Sequence, residues 1–335
     1  MGGRLEGGLF LLLLLVFTVT VLPPLFSPAK EKEEKKEYVF PPPLDTVPFS
    51  LKVYNHREDC LTEMELEEYL VGVVAAEMPA SFHPEALRAQ AIAARTYTVR
   101  KILSAAGGGS TGHPGAVVCT DHTHCQAWIE EDKAKENWGE TGEENWQKLK
   151  AAVASTAGLV ITWQGELIDA VYHSTCGGNT ACARDVWSGD APYLEAVACS
   201  FCSHSPWYST EKQISYEAFF SAFNEKDALP VAAGDGTPRL KVVEASPRGR
   251  IKTFQVGEKE YTAHDFRRKL DLPSAWLEYA CGADSLLFVT RGYGHGVGLC
   301  QYGADGAGEK GWKAEEIIKY YYREVEIVPW KNLHK

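Results

Sequence analysis

The sequence has no excess of basic residues and no run of lysine and arginine interleaved with aromatic side chains. Its 45 acidic residues outnumber its 34 basic ones, which gives a formal net charge of -11 at pH 7. Nucleic-acid binding depends on a positively charged surface that neutralises phosphates, and this composition does not supply one. We therefore expect no nucleic-acid partner.

Internal repeats are also absent, and after the N-terminal region no low-complexity run is longer than the glycine triplet at 107–109. Without a repeat, nothing in the pattern divides the rest of the chain into smaller units. A chain of 335 residues with 45% hydrophobic composition can bury a sizeable core, which excludes disorder throughout. We predict one folded domain over residues 51–335.

One long uncharged run is present, from residue 7 to residue 26. It is about the length that a helix needs to cross the hydrocarbon core of a bilayer. A cleaved signal peptide is the alternative, but two prolines at 23–24 followed by bulky residues make a poor cleavage site. We predict an uncleaved membrane anchor over residues 1–28 and a charged, proline-rich stalk over residues 29–50.

Two long helices are predicted early in the folded domain. The first is expected to begin at Thr62, because Glu65 follows at the spacing of a capping box, and it must end before Pro79. The second is rich in alanine and is expected to begin at Pro84, where proline is tolerated. Its small side chains predict close packing against a neighbouring element.

Two hairpins are predicted where apolar runs flank a turn, one around residues 164–165 and one around residues 247–249. Near the C-terminus a short strand precedes a glycine-rich loop, and a last helix is expected around residues 314–322. Short helices are expected between the strands. This mixture predicts the α+β class, as a single mixed catalytic domain behind an N-terminal transmembrane helix.

Nine cysteines are present, an odd number, so they cannot all pair in disulfides. Some of them must be free or bind a metal. Cys176 and Cys182 could form a disulfide, and Cys199 with Cys202 forms a CxxC motif of redox or structural kind. The sequence alone assigns no chemistry to these four residues.

Glu77 is the first candidate for chemistry, because it lies at the end of the first helix and continues its apolar face. Loss of hydration on that face and the negative end of the helix dipole both favour the protonated carboxyl. A general acid requires such a raised pKa. The alternative is an ion pair with a core arginine such as Arg88 or Arg95. The apolar face consists of Leu66, Tyr69, Leu70, Val73 and Val74.

A second candidate site is formed by His113, Cys119, His124 and Cys125. Imidazole and thiolate are the ligands that zinc prefers, and the loop between these residues has bends that allow four of them to surround one ion. The spacing is not that of a standard zinc finger. The alternative is a disulfide between Cys119 and Cys125 with two surface histidines.

Two further segments are suited to gripping sugar hydroxyls. In the first, a strand is expected to end near His173 and Ser174, just before two glycines. In the second, alternating glycines surround His295 and precede Gln301. This loop has no Lys-Ser or Lys-Thr, so it is a weak phosphate cradle. The alternative is that these glycines only allow a tight backbone path against the core.

Four segments together resemble the successive signatures of the stage II sporulation protein D family. They are YLVGVVAAEMPASFHPEALRAQAIAARTYTV, VCTDHTHCQAW, YHSTCGGNTACARDVW and RGYGHGVGLCQYGA, and they occur in this order across most of residues 60–310. The chain differs from commoner members in having Cys176 and Cys300 where serine is frequent, which leaves the roles of these two positions open.

The resemblance implies a lytic transglycosylase of spore-forming bacteria that cuts the glycan strands of peptidoglycan during engulfment. The substrate would be glycan already stripped of its stem peptides, and the partners would be the amidase and the membrane scaffold of the same machine. The catalytic glutamate of the family falls on Glu77. The zinc ligands of the family fall on His113, Cys119, His124 and Cys125, in a structural site.

The resemblance also implies a set of sugar contacts and a topology. We expect the domain to lie outside the cytoplasm, on a single-pass anchor in the mother-cell membrane. Four lysines just beyond the apolar run point the other way under the positive-inside rule, and the short N-terminal tail and the resemblance outweigh them. The expected sugar contacts are Gln90, Arg95, His173, Ser174, His295 and Gln301.

Two other functions compete with the transglycosylase. A non-catalytic, peptidoglycan-binding activator of a cell-wall amidase is the first, because relatives of this domain are thought to stimulate amidases. A zinc hydrolase is the second, but the sequence has no HExxH helix motif, and a thiolate-rich ligand set suits a closed structural site. The glutamate in the AAEMP stretch favours the enzyme that cuts glycan.

Overall fold

The computed structural model describes residues 38–42, 48–106, 112–113, 115–187, 189–223 and 238–333. The predicted anchor lies outside these ranges, as does most of the predicted stalk. None of the helices in these ranges is both long and apolar enough to cross a membrane. The domain boundaries predicted at residues 28 and 50 stay predictions, and the first described strand begins at Ser50.

Helices and strands alternate irregularly along the chain, and the strands form several small sheets. The helices are α1 (Leu66–Glu77), α2 (Pro84–Ala106), α3 (Glu131–Trp138), α4 (Gly142–Ala154), α5 (Ala183–Val186), α6 (Tyr216–Phe223), α7 (Ala263–Lys269), α8 (Gln301–Glu309) and α9 (Ala314–Tyr321). The predicted mixed α+β class is therefore confirmed, whereas the predicted transmembrane helix lies outside the described residues.

The strands are β1 (Ser50–Asn55), β2 (Cys60–Glu65), β3 (Val118–Cys119), β4 (Leu159–Trp163), β5 (Glu166–Leu167), β6 (Tyr172–His173), β7 (Thr210–Ser215), β8 (Leu240–Ala245), β9 (Ile251–Val256), β10 (Lys259–Thr262), β11 (Leu277–Cys281), β12 (Ser285–Thr290), β13 (Leu299–Cys300) and β14 (Glu326–Pro329). They pair in the orders β2-β1-β3, β14-β4-β5, β13-β6, β10-β9-β8 and β11-β12-β7. The pairs β1–β3 and β6–β13 are parallel.

Two hydrophobic cores organise these elements. In the first, α2 lies at the centre and packs against α1, α4, α8, α9 and β4. Its alanines at 86, 89, 91, 93 and 94 are fully buried, so neighbouring elements approach its backbone closely. The second core joins α6 and α7 to strands β7–β12 and contains a cluster of stacked phenylalanines.

The start of the first helix is wrong in the sequence prediction. Residues 60–65 form β2 instead, which pairs with all six residues of β1, and α1 begins at Leu66 without a side-chain cap. Pairing with a strand ten residues away therefore overrides the capping-box pattern of Thr62 and Glu65. The end of α1 at Glu77, before Pro79, is confirmed, as is the buried apolar face.

Most other local predictions are confirmed. Helix α2 begins at Pro84, and α9 covers the predicted C-terminal helix. The first hairpin turns through Gln164 and Gly165, both with positive φ, and the second turns next to Gly249, which also has positive φ. The glycine-rich loop was not expected to continue into a helix, but α8 begins directly at Gln301.

Arg95 is part of the first core. Its side chain is fully buried, and its guanidinium donates to both carboxylate oxygens of Glu67 at 2.9 and 2.6 Å. It also donates to Thr156 Oγ1 and to the carbonyls of Val153 and Leu159. These bonds join α2 to α1 and to the end of α4, so the guanidinium is occupied by core groups rather than turned toward an open surface.

We expect Arg95→Met to destabilise the protein strongly. The substitution leaves the half-buried Glu67 carboxylate without its partner, and breaking a buried pair costs about 3 to 5 kcal/mol. Arg100→Met is the matched control, since Arg100 lies on the same helix and pairs with Asp169 at the surface. Its free energy of unfolding should change by less than about 1 kcal/mol. Urea denaturation followed by circular dichroism measures both, and equal midpoints for the two variants would contradict the role assigned to Arg95.

Candidate active site and histidine–cysteine cluster

Glu77 is the last residue of α1 and is half-buried. Its Oε1 accepts a hydrogen bond from the backbone N–H of Ala127 at 2.7 Å. The chain can reach this position because α1 stops before Pro79, which leaves the carboxyl at a helix end facing the segment that follows the histidine–cysteine loop. The side chain is therefore held in place by a backbone group.

Burial raises the pKa of Glu77 above its ordinary value. The Ala127 N–H, the His122 imidazole and the Tyr172 hydroxyl each lower the pKa, and their combined effect is smaller than that of burial. No carboxylate is among these interacting groups. The protonated form needed by a general acid is thus favoured by the site.

The ion pair that was the alternative for Glu77 is not formed. Arg95 is bonded to Glu67, and Arg88 donates to Glu85 Oε2 at 2.6 Å. Within the described residues, no lysine or arginine pairs with Glu77. A cation would lower the pKa of this carboxyl, and the two arginines nearest in sequence are both committed to other carboxylates.

A groove of about 410 Å³ lies beside Glu77. Its wall includes Ala75 and Ala76, which precede Glu77, and Ala127, which bonds to it. The remaining wall combines aromatic and polar side chains, which is the usual lining of a ligand pocket. These side chains include Trp128, Trp138, His56, Arg57, Asp121, His122 and Asn137, whereas Glu77 itself is not part of the wall.

Tyr172 connects Glu77 to two of the predicted sugar contacts. Its hydroxyl donates to Gln126 Oε1 at 2.9 Å and interacts with Glu77. Its carbonyl accepts from His295 Nε2 at 2.8 Å, and the Val297 N–H donates to His295 Nδ1. These bonds define the neutral tautomer of His295, and burial lowers the pKa of this imidazole to about 4.

His173 lies next to His295, with ring centroids 5.6 Å apart. The two residues meet because the parallel strands β6 and β13 pair, and because Gly294 lets the backbone approach His173. Its Nδ1 bonds to the Val297 carbonyl at 3.0 Å, and burial lowers its pKa well below the ordinary value. Ser174 follows it, half-buried, with its hydroxyl 3.4 Å from that of Thr175.

Gln90 and Gln301 contact each other across the helix pair α2–α8. The Gln301 amide donates to Gln90 Oε1 at 3.4 Å, and both side chains are buried. The structure therefore brings the predicted sugar contacts together in two groups, one with His173, Ser174 and His295 and one with these two glutamines. Arg95 stands apart from both, in the core.

Several buried polar atoms in the described residues have no hydrogen-bond partner. They are Gln90 Nε2, His173 Nε2, Trp128 Nε1 and Tyr69 Oη. Such atoms usually bind an ordered water or a ligand. Two of them belong to residues predicted to hold a sugar, and Trp128 lines the groove beside Glu77.

The four predicted metal ligands come together in one cluster. The ligand atoms of His113, Cys119, His124 and Cys125 all lie within 4.8 Å of one another. His124 Nδ1 is 2.8 Å from His113 Nε2, 3.6 Å from Cys119 Sγ and 3.3 Å from Cys125 Sγ. The pairing of β3 with β1 holds Cys119 beside Tyr54, whose ring stacks on His113.

This donor set fits one zinc ion. Two imidazoles and two sulfurs are a common tetrahedral set for structural zinc, and no water or substrate position is needed to complete it. The alternative disulfide is not formed, because Cys119 and Cys125 are both unpaired. The disulfide considered between Cys176 and Cys182 is not formed either, since Cys182 Sγ bonds to Glu195.

Sequence reasoning missed the groups that surround Glu77. Ala127 acts through its backbone, and Tyr172 and Gln126 come from segments far from α1. The only available signal was the tyrosine directly before His173 in a segment already singled out. Backbone donors leave no signal in a single sequence.

Comparison with known proteins identifies the family of this chain. A family profile described as "Stage II sporulation protein" matches residues 54–163. The chain is 35% identical to "Stage II sporulation protein D" of Bacillus subtilis (strain 168), over 94% of this chain and 92% of the relative. It is 34% identical to the protein of the same name from Bacillus amyloliquefaciens, over 96% and 94% of the two chains.

A more distant relative has a different name. The "Amidase enhancer" of Bacillus subtilis (strain 168) is 28% identical over 76% of this chain and 39% of its own length. The two relatives named first match nearly the whole length of this chain. The chain belongs to the stage II sporulation protein D family.

Proposed function

We propose that this chain is a lytic transglycosylase that cuts peptide-stripped glycan strands of peptidoglycan and leaves 1,6-anhydro-MurNAc ends. The observation that carries the proposal is the half-buried Glu77 carboxyl, whose pKa is raised by burial and which pairs with no lysine or arginine in the described residues. It lies beside a groove of about 410 Å³. Sporulation is the context that the family provides.

Glu77 would serve as both acid and base. As the acid, it protonates the oxygen that links MurNAc to GlcNAc, so the glycosidic bond breaks and the GlcNAc hydroxyl leaves. As the base, the resulting carboxylate takes the proton of the MurNAc 6-hydroxyl while that oxygen closes the anhydro ring. The proton count balances, and the Ala127 N–H stabilises the carboxylate between the two steps.

The proposed reaction needs only one carboxyl, that of Glu77. Hydrolases that retain or invert configuration use a second carboxylate, about 5 to 9.5 Å from the first. Asp121 also lines the groove, where its Oδ1 accepts hydrogen bonds from the N–H and the hydroxyl of Thr123, and it takes no part in the proposed reaction. An internal 6-hydroxyl replaces the water that a hydrolase would activate.

The sugar contacts follow from the two groups of predicted residues. His173 is held neutral by burial, and its Nε2 has no hydrogen-bond partner among the described residues, so it can bond to a sugar hydroxyl. Both ring nitrogens of His295 bond to backbone groups, so His295 would position His173 rather than hold the sugar itself. Ser174 is half-buried and offers a hydroxyl. Gln90 and Gln301 are buried and bond to each other, so in the proposal they support the α2–α8 contact beside the site. Tyr172 joins the first group to Glu77, and we include it among the positioning residues. Arg95 is not included, because its donors are used in the core.

The histidine–cysteine cluster would hold a structural zinc ion. His113, Cys119, His124 and Cys125 close around the ion, which adds binding energy to the folded state but takes no part in bond cleavage. Ala127, whose N–H donates to Glu77, follows Cys125 by only two residues. Zinc would therefore fix the segment that donates a hydrogen bond to Glu77.

The cellular setting is part of the proposal. The chain would be anchored by its apolar N-terminal run in the mother-cell membrane, with the catalytic domain outside the cytoplasm, where peptidoglycan lies. Its partners would be a sporulation amidase, which removes stem peptides and so supplies the stripped glycan, and the membrane scaffold of the engulfment machine.

A second candidate function is a non-catalytic activator of a cell-wall amidase. The observation that favours it is the likeness to a relative named an amidase enhancer. Such an activator needs a surface that binds glycan, but it does not need a general acid. The two functions make different predictions for Glu77→Gln, which keeps the shape of the side chain but has no acidic proton. A transglycosylase would lose its activity, whereas a non-catalytic activator would not depend on this proton.

We expect Glu77→Gln to release no anhydro-muramoyl product from peptide-free glycan, because an amide cannot donate the proton. Removal of a general acid typically lowers the rate by about 100-fold to 10,000-fold. Glu68→Gln is the matched control, since Glu68 is exposed on the same helix, and it should act as wild type. Mass spectrometry of the digested glycan measures the product.

The folding of the Glu77→Gln variant provides the second control. Because burial raises the pKa of Glu77 in the folded state, the wild type loses stability as pH rises through that pKa. The amide removes this loss, so at neutral pH the variant should unfold at the same or higher denaturant concentration. Wild-type product release by a well-folded variant would leave the activator as the better explanation.

The pH dependence of glycan cleavage should report the protonation state of Glu77. Activity needs the protonated acid, so it should decline as pH rises through the raised pKa. Tyr172→Phe removes a hydroxyl that lowers this pKa, and it should therefore move the decline to higher pH. Tyr279→Phe is the control, because its hydroxyl bonds to Leu240 in the second core. Identical pH profiles for all three proteins would contradict the assignment of the acid.

The zinc proposal is tested by metal analysis of purified protein. Cys119→Ser should lose about one zinc ion per chain relative to wild type, and its melting temperature should fall because bound metal stabilises the folded state. Cys60→Ser is the control, since Cys60 is exposed on β2, and it should keep the wild-type metal content. A disulfide between Cys119 and Cys125 in a non-reduced peptide map would rule out the zinc site.

A further inference from the structure

Four cysteines that the proposed function leaves unused lie together in the first core. Their sulfur atoms are all within 4.8 Å of one another, and no side chain is more than 2% exposed. Cys176 follows β6, Cys300 ends β13, and Cys199 with Cys202 forms a CxxC motif between them. Three separate segments of the chain therefore bring their thiols to one point.

The spacing of the sulfurs matches a single ion. A tetrahedral zinc ion with zinc–sulfur bonds of about 2.3 Å holds its sulfurs about 3.8 Å apart. Cys176 Sγ and Cys202 Sγ are 3.5 Å apart. Thiols that act only as small apolar fillers have no reason to turn four sulfurs toward one another. A CxxC motif completed by two further cysteines is a common arrangement of zinc ligands.

Hydrogen-bond donors point at these sulfurs. The backbone N–H groups of Cys176 and Gly303 each donate to Cys300 Sγ at 3.3 Å. The hydroxyl of Tyr321 lies 3.1 Å from Cys199 Sγ. Cys300 is also the N-cap of the nine-residue helix α8. A neutral thiol is a weak acceptor, whereas a thiolate is stabilised by N–H donors and by a helix N-terminus.

A buried positive charge lies against the cluster. Arg250 donates to the Cys176 carbonyl and to the Asn179 carbonyl, both at 2.9 Å. Within the described part of the chain it has no carboxylate partner. A divalent ion with four thiolates carries two net negative charges, which an adjacent guanidinium offsets. This charge gives the buried arginine an electrostatic partner.

The backbone around the cluster leaves no room for a side chain at Gly303. A Cβ atom there would lie 2.8 Å from Cys199 Sγ, 3.1 Å from Cys300 Sγ and 2.0 Å from the Tyr321 hydroxyl. Glycine at the first turn of α8 therefore lets the helix N-terminus reach the sulfurs. The cradle is formed by backbone, tyrosine and cysteine together.

We propose that Cys176, Cys199, Cys202 and Cys300 bind one zinc ion in a closed, structural site. This site is separate from the histidine–cysteine cluster. Binding releases the four thiol protons to solvent and forms four zinc–sulfur bonds, with no change in oxidation state. The ion ties β6 to β13, the two strands that hold His173 and lead to Gln301, so it supports the segments on which the proposed sugar contacts depend.

The test is the metal content of the full chain, purified in mild detergent without chelators. Loss of a thiolate ligand opens a closed site, so Cys199→Ser should contain about one zinc ion less per chain than wild type. Cys281→Ser is the matched control, because Cys281 is exposed at the end of β11, and it should keep the wild-type content. The double variant Cys119→Ser/Cys199→Ser should contain no zinc.

X-ray absorption spectroscopy of the Cys119→Ser variant provides a measurement that does not depend on how Cys199→Ser folds. With the histidine–cysteine cluster opened, the remaining zinc should show only sulfur neighbours, at about 2.3 Å. The expected result therefore stands whether or not the histidine–cysteine cluster binds metal in the wild type.

Four results would overturn the proposal. The first is a zinc content that Cys199→Ser leaves unchanged, and the second is an imidazole nitrogen bound to the remaining zinc of the Cys119→Ser variant. The third is a disulfide between Cys176 and Cys202 in the wild-type protein, and the fourth is iron in place of zinc. The zinc content of Cys199→Ser tests only the four-cysteine site, and the activity of Glu77→Gln tests only the transglycosylase proposal. Either proposal can therefore fail without the other.

Discussion

The candidate site depends on the ion pairs of Arg88 and Arg95, the two arginines nearest to Glu77 in sequence. Glu67 binds Arg95 and Glu85 binds Arg88, so these two buried cations of α2 are used inside the core. A cation beside Glu77 would keep that carboxyl ionised, whereas burial without a cation raises its pKa. The core ion pairs therefore serve two purposes, since they join helices and they also leave one acid without a counter-ion.

Close packing of α1 makes this isolation possible. At Gly72, in the middle of the helix, a Cβ atom would lie 2.3 Å from Trp128 Nε1 and 2.7 Å from the Ile129 carbonyl. The segment after the histidine–cysteine loop thus lies directly on the helix backbone, and Ala127 of the same segment bonds to Glu77. A bulkier residue at position 72 would push this segment away, and the carboxyl would lose its donor and gain water.

The sequence allowed prediction of those parts of the fold whose causes are local. Proline at the start of α2, a Gln-Gly turn and the apolar face of α1 each act within a few residues, and all three predictions are confirmed. The strand at 60–65 was predicted as helix because the capping-box spacing of Thr62 and Glu65 was given more weight than pairing with the preceding strand β1. The histidine–cysteine cluster was predictable because its members lie within 13 positions. The neighbours of Glu77, the core bonds of Arg95 and the gathering of four cysteines all depend on contacts between distant segments, which a single sequence does not reveal.

The chain enters and leaves the second core at neighbouring positions. Thr210 at the start of β7 pairs with Thr290 at the end of β12, and their hydroxyls are 2.7 Å apart. Strand β6, which contains His173, and strand β13, which leads to Gln301, lie before and after this point in the chain. Because entry and exit are adjacent, the inserted unit can lengthen, shorten or change its outer surface in other members of the family without altering the distance between the two strands. Arg250 reaches from this unit to the Cys176 carbonyl, so it is the contact through which such a change would affect the four-cysteine cluster.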